Sequence, residues 1–143
     1  REVIKRTADD RLAGFTLGRL LLRHRQGDPN SISEAQFEAG ESWRKLVLDH
    51  AAIHGYKLTI GSPSFLTICG ASLAMEDEDH IKRTRERWTQ CYNAIAECVK
   101  THGIRARNVV YGICVEDWPL ASLTRDDFGL LREALNVLGR VLR

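Results

Sequence analysis

The stretch that most narrows the fold is "EDEDHIKRTRERWTQCYNAIAECVKTHG", residues 76–103. Ile81, Trp88, Cys91, Tyr92, Ile95, Cys98, Val99 and His102 fall on one stripe of a 3.6-residue repeat, with charged residues on the other side. An amphipathic helix of this length must lay its apolar stripe on other helices or on a sheet. Its four leading carboxylates, Glu76 to Asp79, sit where the helix dipole favours anions. Glu78 with Lys82 and Asp79 with Arg83 have i,i+4 spacing, which supports the same helix.

The rest of the chain offers helices rather than a sheet as packing partners. "RLAGFTLGRLLLRHRQG" carries Leu12, Phe15, Leu17, Leu20, Leu21 and Leu22, then a cationic end and Gly27, and predicts one helix that stops before "DPN". "SISEAQFEAGESWRKLVLDHAAIHG" opens with a Ser33/Gln36 capping box and repeats Ala39, Trp43, Leu46, His50 and Ile53 at alternating four and three residues. It predicts a long helix ending at Gly55. Residues 57–75, "KLTIGSPSFLTICGASLAM", hold no sustained period and are expected to form a mobile loop, with a short strand at "KLTI" as the alternative. The apolar run from Val109 to Val115 is compatible with strand or helix; helix is favoured because no second strand pairs with it. Pro119 ends that element. Thr124 with Asp127 caps a last helix, whose stripe is Phe128, Leu131, Leu135, Leu138 and Leu142.

The expected architecture is all-α, a single-domain bundle of about five helices over residues 1–143 with a helix-turn-helix-like C-terminal segment. Trp43, Leu46, Trp88, Ile95, Phe128, Leu131 and Leu135 are expected to meet in one core. Leu130, Val137 and Val141 give the last helix more apolar width than one contact needs, which points to a homodimer or partner surface there.

Charge and cysteine usage restrict function. With 21 basic and 19 acidic side chains the formal net charge is +2, so any nucleic-acid or membrane surface must be local. No apolar run approaches the roughly 20 residues of a membrane span, and no signal peptide is recognisable, although the chain begins with Arg1 rather than Met, as a processed or trimmed terminus would. Cys69, Cys91, Cys98 and Cys114 stand singly, without CxxC pairs, which favours free buried thiols and a cytoplasmic setting.

Candidate chemistry is sparse. His50 and His54, like Cys98 and His102, are spaced i,i+4 and could supply four zinc ligands if their helices lay side by side. The simpler reading places His54 and His102 in final helical turns before a glycine, as with "RHRQG" before Gly27, and no metal or cofactor is expected. Ala51 stands where an HExxH helix has glutamate, and "DFG" at Asp127 to Gly129 lacks every other kinase element. Gly14 and Gly18 form GxxxG, read as close packing or a weak helix. The cysteines lie in apolar contexts that raise thiol pKa, no pocket with convergent polar groups is expected, and the protein is read as non-enzymatic.

What remains is cationic surface: Arg19, Arg23 and Arg25 on the first helix, Lys82, Arg83, Arg85 and Arg87 on the long one, and Arg105 and Arg107, beside Lys100, around the next turn. These are the candidate nucleic-acid contacts. Arg125 in the last helix is followed by Asp126 and Asp127, which would face phosphate and disfavour base reading. A continuous positive face uniting the first and long helices would favour nucleic acid, and alternating signs a protein partner.

"LGRLLLRHRQGDPNSISEAQFEAGESWRKLV" together with "GICVEDWPLASLTRDDFGLLREALNVL" resembles small helical proteins found among phage and prophage genes of alphaproteobacteria. The resemblance covers both ends of the chain and skips the Gly/Ser/Pro-rich loop. It implies transcription control or DNA packaging, with DNA or a transcription or packaging protein as partner, and brings no catalytic residues. The alternative is a protein–protein interaction module that binds a regulator or polymerase subunit without touching DNA.

Overall fold

The computed structural model describes residues 9–54 and 78–142. The loop expected over 57–75, its "KLTI" strand and Cys69 lie outside the described residues. Five α-helices account for most of what is described: α1 (Thr16–Arg25), α2 (Glu34–His54), α3 (Glu78–His102), α4 (Ile104–Cys114) and α5 (Arg125–Leu142), with one 3₁₀ turn at Leu120–Ser122 before α5. Among the described residues there is no strand. The Val109–Val115 run is helical as far as Cys114, which agrees with the absence of a pairing partner.

The first segment is two helical pieces where the sequence predicts one. Residues 9–13 form a helical turn, the chain breaks at Gly14 and extended Phe15, and α1 then begins. The two pieces fold so closely that a Cβ on Gly18 would lie 2.2 Å from the Leu12 carbonyl oxygen, which is what the GxxxG spacing serves here. Phe15 offers no side-chain cap. Instead the Thr16 N–H donates to Asp117 Oδ1 at 2.8 Å, and Thr16 Oγ1 donates to the Trp118 carbonyl. Asp117 adopts φ 54°, a left-handed conformation that aspartate tolerates better than most residues, and puts a carboxylate at the positive end of α1.

Both local caps expected from sequence form. Ser33 N–H donates to Gln36 Oε1 at 2.8 Å, and Gln36 N–H to Ser33 Oγ at 3.2 Å. Thr124 N–H donates to Asp127 Oδ2 at 2.9 Å, and Asp127 N–H to Thr124 Oγ1 at 3.3 Å. Each box satisfies donors that a helix start leaves open.

α5 is the central helix and packs on α2, α3 and α4; α3 also packs on α2 and α4, while α1 packs on α2 and α4. Leu131, Leu135 and Leu138 are fully buried, and they share one core with Trp43, Leu46 and Ile95. Trp88 and Phe128 pack against that core while half-buried. So do Leu130 and Val141, which means that the extra apolar width of α5 is used largely within the chain. The C-terminal helix, short turn and helix are present, but α5 serves this topology as its packing centre.

Candidate functional site

Eight of the nine cationic residues singled out in the sequence separate into three environments, and the ninth, Arg107, stands exposed on α4. Arg25 pairs with Glu34, Nε to Oε1 at 2.8 Å, and Arg19 donates its Nε to the Ala13 carbonyl at 2.8 Å; with exposed Arg23 they stay on α1. Arg105 forms a two-pronged pair with Asp127, at 3.0 and 2.9 Å, and its guanidinium lies over the Trp118 ring, 5.6 Å from the centroid. Donation from Arg105, together with the Thr124 cap, holds the Asp127 carboxyl down at about 2 despite its burial. Lys82, Arg83, Arg85 and Arg87 are exposed and enter none of the ion pairs among the described residues.

These last four do not make one face. Asp79, Glu86 and Glu97 recur after two and three helical turns, so they line up along the outward side of α3. The same period puts Lys82 and Arg85 on one flank of that line and Arg83 and Arg87 on the other. α1 packs on α2 and α4, so its arginines belong to another part of the surface.

On the Arg83/Arg87 flank, α3 meets α2 across an open cleft of about 360 Å³. Lys45 from α2 and His80, Arg83 and Arg87 from α3 line it, with Ser42, buried Asp49 and buried Thr84. Thr84 Oγ1 stands 3.5 Å from His80 Nε2. Lys45 is missed in the sequence because it is one cation beside Arg44 rather than part of a run. A helical step of 100° between neighbours turns Lys45 outward and Arg44 inward.

On the Arg85 flank lies a larger groove, about 580 Å³, that the sequence reading does not anticipate. Trp43 from α2, Trp88 and Tyr92 from α3, Tyr111 from α4 and Trp118 beyond α4 supply ring walls, and Arg107, Asn108 and Glu116 supply a polar edge. Trp88 is held between His50, stacked at 4.2 Å and 7°, and Tyr92, at 5.3 Å and 22°. Trp43 meets Tyr111 edge-on at 6.1 Å and 76°. Trp118 lies on Gly112, where a Cβ would come within 2.3 Å of the indole. Burial first, then the Glu116 carboxylate, pushes the Tyr111 phenol up, so its hydroxyl remains a donor. Burial, then the charges of His54 and Arg85, pushes His50 down, which favours the neutral ring against Trp88. Trp88 and Tyr92 are one helical turn apart, but Trp43, Tyr111 and Trp118 reach them from other segments of the chain, and no local spacing announces that meeting.

The proposed zinc halves are not brought together. His50 is stacked on Trp88, which precedes Cys98 by ten helical residues, or about 15 Å of rise. His54 and His102 do end their helices. Among the described residues no group of three or more His, Cys, Asp or Glu could hold a metal ion. Burial raises the Cys91 thiol to about 11 and the Cys114 thiol to about 12, and raises Cys98 as well, so none of these is a thiolate at neutral pH. No helix among the described residues is long and apolar enough to cross a membrane. Compared with protein-family models, curated proteins and solved structures, the chain gives no match.

Proposed function

We propose that this is a non-enzymatic helical protein that acts in nucleic-acid transactions and contacts the phosphate backbone through the α2/α3 cleft. The observation that carries the reading is the convergence of Lys45, His80, Arg83 and Arg87 on one cleft, with Lys45, Arg83 and Arg87 exposed. Long flexible cations in the open suit phosphate, which needs charge more than shape. The single carboxylate lining the cleft, Asp49, is buried and leaves the rim cationic. The setting in phage transcription control or DNA packaging follows from the resemblance of the two chain ends. A cytoplasmic location is supported by Cys91, Cys98 and Cys114 being free and buried.

Direct base reading by α5 is not part of the proposal. Its first turn holds Asp127, spent on Arg105 and on the cap, and its exposed side alternates in sign through Arg125, Asp126, Arg132 and Glu133. That alternation, with the separation of the α1 and α3 clusters, supports the second reading, a module that binds a regulator or polymerase subunit without touching DNA.

Retention of random-sequence duplex DNA in a mobility-shift experiment at low and moderate salt decides between them. With three cations at the cleft, log Kd should change with log salt with a slope of roughly 3 and show little sequence preference. Arg83→Glu with Arg87→Glu should abolish retention. Failure of the wild-type protein to retain DNA at ~50 mM salt, where phosphate contacts are strongest, would leave the protein-partner reading.

A further inference from the structure

We infer that the aromatic groove between α2, α3 and α4 takes an unpaired nucleobase of a single nucleic-acid strand. The inference goes beyond the cationic cleft and does not depend on it, because the groove lies on the opposite flank of α3.

Shape is the first argument. A groove of about 580 Å³ falls in the range of small-ligand sites, and Trp43, Trp88, Tyr92, Tyr111 and Trp118 line it together with the aliphatic Val47, Ile95, Ala96 and Val99. Stacking between His50 and Tyr92 fixes the Trp88 indole before anything binds. Contact with Gly112 and the cation of Arg105 do the same for Trp118. With one face on Trp88 and 54% of its surface exposed, Tyr92 keeps ring surface open, and a ring set in advance accepts a flat ligand at little cost in conformational freedom.

The second argument is the polar edge. Asn108 brings an amide that both donates and accepts, the Tyr111 hydroxyl donates, and the Glu116 carboxylate accepts, all from α4 and the residues just after it. A base laid on the open face of Tyr92 presents donors and acceptors along its edge and matches this set. An apolar side chain of a protein partner would leave those groups without partners.

Charge supplies the third. Arg107 lines the groove from α4, and Arg85 lies one turn before Trp88, close enough for its charge to disfavour protonation of His50. Exposed cations therefore stand on both banks, where the phosphates on either side of a bound base would pass. In a duplex both faces of every base are stacked on neighbours, so only an unpaired base can enter.

All three tryptophans of the chain, Trp43, Trp88 and Trp118, line this groove, so intrinsic fluorescence reports on it without added probes. Titration with ten-nucleotide oligothymidylate or oligoadenylate at low salt should give saturable quenching. The corresponding duplex should give little, and thymidine monophosphate should bind at least about tenfold more weakly, because it lacks the flanking phosphates. Tyr92, 54% exposed, and Arg107 can be truncated without opening the core. Tyr92→Ala and Arg107→Ala should each weaken the single strand roughly tenfold while circular dichroism melts stay unchanged. Arg83→Glu with Arg87→Glu should leave saturable quenching in place even if duplex retention is lost, which separates failure of the cleft from failure of the groove. The inference is overturned by any of three results: no quenching by either strand up to about 100 µM, the weak end of sequence-independent binding; equal quenching by duplex or mononucleotide; or wild-type affinity in both variants.

Discussion

Arg44 and Arg83 are carried by neighbouring helices in opposite surroundings. Where α1, α2 and α4 meet, Arg44 has no solvent exposure, pairs with Glu41 of its own helix and places its guanidinium 5.1 Å from the Phe15 ring centroid. Along α3, Arg83 and Arg87 stand in solvent at the rim of a cleft and enter none of the ion pairs among the described residues. Composition counts these residues alike. Physically, one is part of the interior, where removing a partner exposes the full cost of a buried charge, and the others cost the fold almost nothing and remain available to a ligand.

The largest effect should come from breaking the interior pair. Arg44→Ala leaves Glu41, whose carboxyl burial already pushes up, beside a cavity and without its cation. A loss of about 3–5 kcal/mol in urea-unfolding free energy is expected, since an unpaired buried charge adds to the lost volume. Arg44→Met combined with Glu41→Leu should recover most of it, because apolar side chains of similar size replace such a pair at little cost. A single substitution costing under about 1 kcal/mol would show that Arg44 behaves like a surface arginine and remove the contrast.

This contrast also explains how much the sequence could reveal. Element types and caps were legible because they are local: Ser33 with Gln36 and Thr124 with Asp127 are three residues apart, and the stripe of Leu131, Leu135 and Leu138 repeats at helical spacing. The break at Gly14 and Phe15 was not legible, because α1 takes its cap from Asp117, about a hundred residues on, and no window sees both ends. Arg44 was hidden for a related reason. Helical phase alone puts it near the apolar side of α2, but what makes burial tolerable, Glu41 and the Phe15 ring, is a matter of packing. The candidate sites follow the same rule. Arg83 and Arg87 could be picked out as cations, whereas Lys45 joins them only across α2 and α3, and the aromatic groove gathers rings from segments that are distant in the chain.

Arg105 is intermediate between the two extremes, half-exposed yet bound to a buried carboxylate, and a smaller effect is expected there. Asp127→Asn keeps the size of the cap residue but removes the charge that Arg105 holds, and should cost on the order of 1–2 kcal/mol after allowance for the exposed partner. The Asp127 carboxyl lies at about 2 when folded, below the ordinary 3.8, so its contribution is present above about pH 4 and is lost as pH falls toward 2. Melts of the wild type should therefore lose this increment on acidification over that window, and the Asn variant should lack that portion of the fall. Parallel pH profiles for the two proteins would mean that the Arg105 pair does not hold in solution, and Arg105 would rejoin the surface cations.

The smallest effect on stability should accompany the largest proposed effect on binding. Arg83 and Arg87 lie four residues apart on α3, so their like charges repel slightly, and Arg83 stands in the second turn, near the helix end that favours negative charge. Replacing both with Glu keeps the spacing, gives up the i,i+4 attraction between Asp79 and Arg83 and gains a charge suited to the helix start, small effects of opposite sign that largely cancel. The predicted change in unfolding free energy is within about 0.5 kcal/mol of zero, as for other exposed charges without partners. A loss above about 1 kcal/mol would mean that these side chains hold α3 against α2 as Arg44 holds its own surroundings, and lost DNA retention in that variant would then report unfolding. A melt that stays in place while DNA retention disappears would assign the cleft to a ligand and leave the interior arginine to the fold.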